Sequence, residues 1–170
     1  SLGGAIGLGN AFDQVTISTP LALTLNQEIR AIEDISVTVT DSVTSGESLT
    51  IQSPAVIASD MSIVLQAGDA IDVRSGSILQ APMIRVFADT DPTDPDSAGA
   101  TITVLGAINA TSPTLVSGGF DNDVFTVLPQ NTSAFDILGG GFAVVPGDSL
   151  VLDLTGSAVV IDVATNSLSI

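Results

Sequence analysis

Apolar and polar residues alternate along most of this chain, in short runs that end at Gly, Asp, Ser, Asn or Pro. Alternation with a period of two residues is typical of β-strands that bury one face, so the pattern predicts an all-β protein. The stretch from Leu25 to Asp34 has weak helical character, and there we expect a short turn or helix. The clearest alternating runs are Val15/Ile17, Leu23/Leu25, Ile35/Val37/Val39, Leu49/Ile51, Ile63/Leu65, Ile71/Val73, Ile84/Val86, Ile102/Val104, Phe125/Val127, Leu150/Leu152/Leu154 and Val159/Ile161/Val163.

Between Ile35 and Ile108 the runs recur at intervals of about 12 to 18 residues, which is a weak internal repeat. Short apolar runs separated by small turn residues favour a parallel β-solenoid, because each rung buries its inner face against the rungs above and below. An antiparallel β-sandwich is the alternative, since it also has many short alternating strands. Aromatic residues make up only 4% of the chain. This scarcity favours the solenoid, because sandwich cores usually contain large aromatic side chains.

The chain is long enough to form one domain with its own core, and we expect a single β domain over residues 1–170. Residues 1–110 are predicted to form regular rungs of roughly 20 to 25 residues each. Residues 111–170 are richer in Gly and Phe, and are predicted to form terminal rungs or a small subdomain. The phenylalanines expected to fill the end of the stack are Phe120, Phe125, Phe135 and Phe142.

The charge of the chain restricts its partners. It has 19 acidic residues against 3 basic ones, for a formal net charge of -16. We expect no nucleic-acid binding, because affinity for phosphate backbones depends on clusters of Lys and Arg. The basic residues are Arg30, Arg74 and Arg85, and Arg74 is expected to pair with Asp72. Acidic residues interrupt every apolar stretch well short of the length of a transmembrane helix, so the sequence predicts no membrane span.

The side chains used most often in catalysis are missing. The sequence contains no His, Cys or Tyr, and its basic residues are all Arg. The usual pairs of a nucleophile and a base therefore cannot be assembled. Pairs of carboxylates such as Asp69/Asp72 and Asp121/Asp123 are present, but acidic pairs are common in solvated turns. We therefore expect no enzymatic activity.

An acidic, proline-containing loop between two predicted strands is the strongest candidate for an ion site. It runs from Asp89 to Gly99 and carries four carboxylates, on Asp89, Asp91, Asp94 and Asp96. Calcium takes six to eight oxygen ligands, and a bound ion would neutralise carboxylates that otherwise repel one another. The same composition is also expected of a solvated acidic loop that Pro92 and Pro95 stiffen.

A second, weaker calcium candidate comprises Asp121 and Asp123. They lie in the segment Gly118–Phe125, which partly matches the nine-residue calcium-binding turn of secreted repeat proteins. Asp121 stands where that pattern has a glycine, and the segment occurs once. The alternative is a tight Gly-Gly turn that leads into the Phe125/Val127 strand.

Two groups of segments resemble the rungs of filamentous-haemagglutinin-type and other large repetitive bacterial surface proteins. They are Gln66–Val73, Gly76–Ile78 and Ile84–Asp89, followed by Gly118–Phe125, Gly139–Gly141 and Pro146–Leu150. The resemblance extends over residues 35–165 and is one of composition and rhythm. It implies a parallel β-helix that is secreted and associated with the bacterial cell surface.

Apolar, strand-like segments at 2–8 and 159–170 lack charged or proline caps. Because uncapped strand edges invite pairing, we expect a homo-oligomer, tandem copies in a longer protein, or a head-to-tail filament. The predicted function is that of a structural or adhesive extracellular unit. The alternative is a calcium-dependent binding module for a carbohydrate or cell surface. Asn109 and Asn131 also begin glycosylation acceptor triplets.

Overall fold

The computed structural model describes residues 4–42, 45–89, 99–119, 121–128, 133–140 and 147–153, together with two short strands at 162–164 and 167–169. Every regular element in this part is a β-strand, so the all-β prediction is confirmed. The prediction of helical character between Leu25 and Asp34 is wrong. Residues 29–31 form a strand in which Ile29 and Ala31 are buried and Arg30 faces solvent. The described part of the chain contains no helix with the length and apolar character needed to cross a bilayer.

Sheet I is the largest of three sheets. Its strands are β1 (Val15–Thr19), β4 (Asp34–Val39), β7 (Ser62–Ala67), β10 (Met83–Ala88), β13 (Thr114–Ser117), β15 (Phe135–Leu138), β18 (Ser167–Ser169) and β17 (Asp162–Ala164), in that spatial order. The first six pair in parallel. The hairpin of β17 and β18 then adds to β15 in antiparallel orientation.

Sheets II and III are parallel throughout. Sheet II contains β2 (Leu23–Leu25), β5 (Ser48–Ile51), β8 (Ala70–Val73), β11 (Thr101–Val104), β14 (Val124–Val127) and β16 (Ser149–Leu152), in that order. Sheet III contains β3 (Ile29–Ala31), β6 (Val56–Ser59), β9 (Ile78–Gln80) and β12 (Ala107–Asn109), in that order.

The chain passes through sheets I, II and III in turn and then returns to sheet I one strand further along. We call each passage a coil: coil 1 is β1–β3, coil 2 is β4–β6, coil 3 is β7–β9 and coil 4 is β10–β12. Coil 5 contributes β13 and β14, and coil 6 contributes β15 and β16. Cyclic order with parallel pairing is consistent with a parallel β-solenoid. The antiparallel sandwich is wrong for these sheets.

Equivalent apolar positions stack from coil to coil and form the core. Side chains alternate between the two faces of a strand, and in β4, β5 and β7 every second residue points inward and is buried. Burying each of these aliphatic side chains stabilises the fold by about 1.5–3 kcal/mol. One column of paired residues in sheet II contains Leu23, Leu49, Ile71, Ile102, Phe125 and Leu150.

The coils differ in length. Paired residues in consecutive coils are about 20 positions apart from Val15 to Ile35 and about 31 apart from Ile71 to Ile102. The predicted rung length is therefore too short for some coils. The longest connection between strands of coil 4 lies between Ala88 and Thr101. The division of the domain at residue 110 stays a prediction.

Two of the four phenylalanines that were predicted to fill the end of the stack are among the described residues. Phe125 and Phe135 are buried in coils 5 and 6. Phe120 and Phe142 lie outside the described residues. Phe125 stands between Ile102 and Leu150 in the sheet II column, so it fills the interior of the stack in the same way as the aliphatic residues of earlier coils.

Candidate functional site

The strongest predicted ion site falls mostly outside the described residues. Asp91, Asp94 and Asp96 are not among them, and calcium binding by this loop stays a prediction. Asp89 is described: it follows β10, its side chain is only 1% exposed, and its φ is 50°. It lies where the chain leaves sheet I for sheet II, a connection that we call the I–II corner. Acidic residues recur at this corner in other coils.

Four carboxylates occupy equivalent positions at the I–II corner. Each stands immediately before a strand of sheet II, and the parallel register of that sheet places them in one column. In coil 4 the equivalent residue is Ala100. The acidic members of the column are Glu47, Asp69, Asp123 and Asp148.

The aspartates of this column bind the backbone of the preceding coil. Asp69 Oδ2 accepts hydrogen bonds from the N–H groups of Gly46 and Glu47, the latter at 2.9 Å. Asp123 Oδ1 accepts the Ala100 N–H at 2.8 Å, and Asp148 Oδ1 accepts the Asp123 N–H at 3.0 Å. A charged carboxylate makes a stronger hydrogen bond than a neutral acceptor. These hydrogen bonds therefore stabilise the packing of each coil on the one before it.

Coils 2 and 3 bring together a group of carboxylates that the sequence prediction missed. One carboxylate oxygen from each of Asp41, Glu47 and Asp69 lies within 4.8 Å of the others. Hard oxygen donors at this spacing suit Ca²⁺ or Mg²⁺. Ser42 donates hydrogen bonds to two members of this group. Its backbone N–H lies 2.7 Å from Asp41 Oδ1, and its hydroxyl lies 2.5 Å from Glu47 Oε1.

Coils 5 and 6 contain the weaker predicted pair, Asp121 and Asp123, together with Asp148. Asp123 is 1% exposed, and its Oδ2 meets no donor with hydrogen-bond geometry in the described part of the chain. Its pKa is raised from 3.8 to about 6, chiefly because burial disfavours the charged carboxylate. The charges of Asp148 and Asp121 add to this increase, and the N–H groups of Ala100 and Gly119 oppose it.

Two glycines make room for the buried carboxylates of the corner. A Cβ at position 118 would overlap Asp123 Oδ2, and a Cβ at position 119 would overlap the carbonyl oxygen of Asp89. The Gly-Gly turn that the sequence suggests as an alternative to an ion site therefore has a packing role. That role and a bound ion are compatible, because the same glycines shape the space around Asp123.

Replacing Asp123 with Asn is expected to stabilise the metal-free protein above about pH 6. The pKa of Asp123 is raised on folding, so its charged form costs stability above pH 6, and this cost is relieved as the pH falls from about 6 towards 3.8. Asn is uncharged and keeps an oxygen for the Ala100 N–H. Denaturant unfolding in EDTA should show an advantage of about 1–3 kcal/mol at pH 8 that shrinks by pH 5.

The matched control for this pH experiment is Asp136→Asn, which removes the charge of an exposed aspartate on β15. This variant should show no such advantage over the wild type at pH 8. An Asp123→Asn variant that is less stable than the wild type at pH 8 would contradict the account.

The arginines lie away from the acidic corner. Arg74 Nε lies 2.7 Å from Asp72 Oδ2, so the predicted pair is confirmed, and Arg30 pairs with Glu28. Arg85 is exposed on β10 of sheet I. No arginine is among the groups that shift the pKa of Asp123.

A groove of about 520 Å³ lies where sheet III leads back to sheet I. Gln80 and Asn109 line it from adjacent coils, because they are register partners at the ends of β9 and β12. The other polar residues that line it are Ser59, Asp60 and Thr111. Asn109, one of the predicted glycosylation acceptors, is therefore exposed in this groove, whereas Asn131 lies outside the described residues.

No family model, curated protein sequence or solved structure matches this chain.

Proposed function

We propose that this chain is a structural or adhesive unit of an extracellular protein, built as a parallel β-solenoid. The observation that carries the proposal is the register of the stack: each strand of coils 2 and 3 pairs with equivalent strands of both neighbouring coils. A coil buries its inner face only against its neighbours, so such a stack is a rigid element that grows by adding coils. The resemblance to filamentous-haemagglutinin-type proteins supports a bacterial cell-surface location.

The exposed residues of coil 1 support association with further coils. In the described part of the chain, β1 and β2 each pair on one side only, so backbone N–H and C=O groups remain available along their other edges. Large apolar side chains are exposed nearby: Leu8 by 66%, Phe12 by 55% and Leu21 by 72%. At the opposite end of sheet I, the antiparallel hairpin of β17 and β18 covers β15. The two ends of the sheet therefore differ, as a head-to-tail contact requires.

Replacing Leu21 with Glu is expected to prevent self-association of the protein. A charged side chain at this exposed apolar position would have to be buried without a partner when another coil docks. Sedimentation velocity at high protein concentration should show oligomers of the wild-type protein and monomers of the variant, and negative-stain microscopy should show end-to-end particles of the wild type only.

The control for the association experiment is Met61→Glu. It places the same charge on a residue that is 56% exposed in the turn between β6 and β7, away from coil 1. This variant should associate like the wild type. A wild-type protein that stays monomeric at every concentration, with and without calcium, would overturn self-assembly as its mode of action.

A second candidate function, a binding module for neutral carbohydrate, is favoured by the groove that Gln80 and Asn109 line. Gln80 and Asn109 each offer a donor and an acceptor, and sugar hydroxyls need both. The net charge of -16 disfavours anionic polysaccharides. Binding to a panel of neutral glycans that Asn109→Ala abolishes, and that a control change at exposed Gln52 leaves intact, would support this candidate.

A further inference from the structure

The groove where sheet III leads back to sheet I follows the axis of the stack. The register of β6, β9 and β12 sets equivalent positions of coils 2, 3 and 4 side by side at this corner. The middle position points inward, and its side chain is buried in coils 2 and 3, where it is Ser59 and Ala81. The positions on either side of it point outward. The groove is therefore a channel between two ridges, one that carries Gln80 and Asn109 and one that carries Asp60.

The polar side chains of the two ridges are available to a ligand. In the described part of the chain, the side chains of Asp60, Gln80 and Asn109 make no hydrogen bond or ion pair with the protein. Each amide offers donors and an acceptor, whereas the carboxylate offers acceptors only. The Ser59 hydroxyl on the floor of the channel, by contrast, already bonds two backbone groups. Polar recognition of a ligand therefore depends on the ridges.

The backbone along the floor of the channel is paired, which disfavours an extended peptide as the ligand. The Ala81 N–H donates to the Asn109 carbonyl oxygen at 3.1 Å, and the Ala110 N–H donates to the Ser133 hydroxyl at 2.9 Å. A peptide that adds to a sheet needs unpaired backbone groups for its own hydrogen bonds. The channel offers polar groups from side chains instead, and these suit a ligand with many hydroxyls.

The distribution of apolar and polar groups across the channel matches a sugar ring with equatorial hydroxyls. Such a ring has two flat faces of C–H groups and an edge of hydroxyls. With one face on Ala81 and Ala110, its hydroxyls would lie against the amides of one ridge and against Asp60 of the other. Asp60 is the one ionisable side chain among the described residues that line the groove. Together with the net charge of -16, it favours a neutral sugar over an anionic one.

We propose that this groove binds a neutral β-1,4-linked hexose chain that lies parallel to the axis of the stack, with one ring at each of coils 2, 3 and 4. Stacked strands are about 4.8 Å apart, and a hexose ring in such a chain advances by a similar length. Successive rings therefore meet equivalent positions of successive coils. The inference rests on the second candidate function, carbohydrate binding, and adds the orientation, length and charge of the ligand.

Calorimetric titration of the full chain with glucose, cellobiose, cellotriose and cellohexaose tests the orientation of the ligand. Affinity should rise about threefold or more with each ring up to cellotriose, because each ring gains hydrogen bonds from another coil. It should rise little from cellotriose to cellohexaose, because the residues that line the groove come from three coils. Gln80→Ala, in the middle coil, should weaken cellotriose binding by about threefold or more.

The charge of the ligand is tested with Asp60→Asn and a trimer of β-1,4-linked glucuronic acid at low salt. This variant should bind the anionic trimer about fivefold or more tighter than the wild type does, and should bind cellotriose within about twofold of the wild type. Asp136→Asn is the matched control, because it removes the same charge from an exposed position on β15, outside the groove. It should bind both trimers like the wild type. Circular dichroism should show that all the variants are folded.

The outcomes separate this inference from the candidate function on which it rests. Equal affinities for glucose and cellotriose would overturn the axial placement, even if Asn109→Ala abolishes binding and the candidate function stands. Absence of binding by every neutral glycan would overturn both. Binding of an uncharged peptide of Gly and Ser in place of cellotriose would show that the groove takes an extended peptide, and would likewise overturn both.

Discussion

Replacing Gly119 with Ala is expected to lower the free energy of unfolding by roughly 3 kcal/mol or more, enough to leave much of the protein unfolded. A Cβ at this position would overlap the carbonyl oxygen of Asp89, which belongs to the backbone of the preceding coil. A backbone atom cannot rotate away as a flexible side chain can. Two stacked coils would therefore have to separate at the I–II corner.

Urea unfolding followed by circular dichroism measures this effect. The matched control is Gly4→Ala, because a Cβ at position 4 would meet no atom within 4 Å and the residue has no positive φ. The control should be as stable as the wild type. A Gly119→Ala protein with unchanged stability would show that the coils are not packed as closely as described.

Replacing Phe125 with Ala is expected to cost about 3–5 kcal/mol of stability, the usual effect of removing a buried phenyl ring. Phe125 is 2% exposed and is paired with Ile102 above and Leu150 below in the sheet II column. Its loss would leave a cavity between coils 4 and 6 that the parallel backbone cannot close without breaking its hydrogen bonds.

The neighbouring residue provides the control for the Phe125 experiment. Val124 lies on the same strand but on its outer face, where it is 41% exposed. Val124→Ala should change the free energy of unfolding by less than about 0.5 kcal/mol, as is usual for surface positions. Equal effects of the two substitutions would contradict the inward and outward assignment along β14.

Period-two alternation predicted all six strands of sheet II and the first four strands of sheet I, but not β13 and β15 of sheet I or any strand of sheet III. Ile35, Val37 and Val39 fill three inward positions of one strand, so the pattern is visible in the sequence. Strands of sheet III have three or four residues, and β9 and β12 each have one fully buried residue, Leu79 and Ile108. A single inward residue cannot form an alternating pattern, so these strands are recognised only from their pairing in the structure.

The candidate site was predictable only where its residues are close in sequence. Asp121 and Asp123 were found because they share one turn. Asp148 was missed as their partner, since it reaches them only through the register of coil 6, about 25 positions later. The group of Asp41, Glu47 and Asp69 was missed for the same reason: unequal coil lengths hide the alignment in the sequence.

The central claim is that coils stack in parallel with the stated register, since the core, the acidic corner and the proposed function all depend on it. The chain has no cysteine, so engineered pairs can test the register without interference. Thr103 and Thr126 are Cα partners in coils 4 and 5. Thr50 belongs to the same column but lies two strands from Thr103, about 9.6 Å away.

Mild oxidation of two double variants, followed by mass spectrometry, is the most direct measurement. The pair Thr103→Cys and Thr126→Cys should form an intramolecular disulfide, because adjacent strands bring the Cα atoms within bonding range. The pair Thr50→Cys and Thr103→Cys should remain reduced, since a disulfide does not bridge Cα atoms more than about 7 Å apart. A disulfide in the second pair, or none in the first, would contradict the stacked parallel coils.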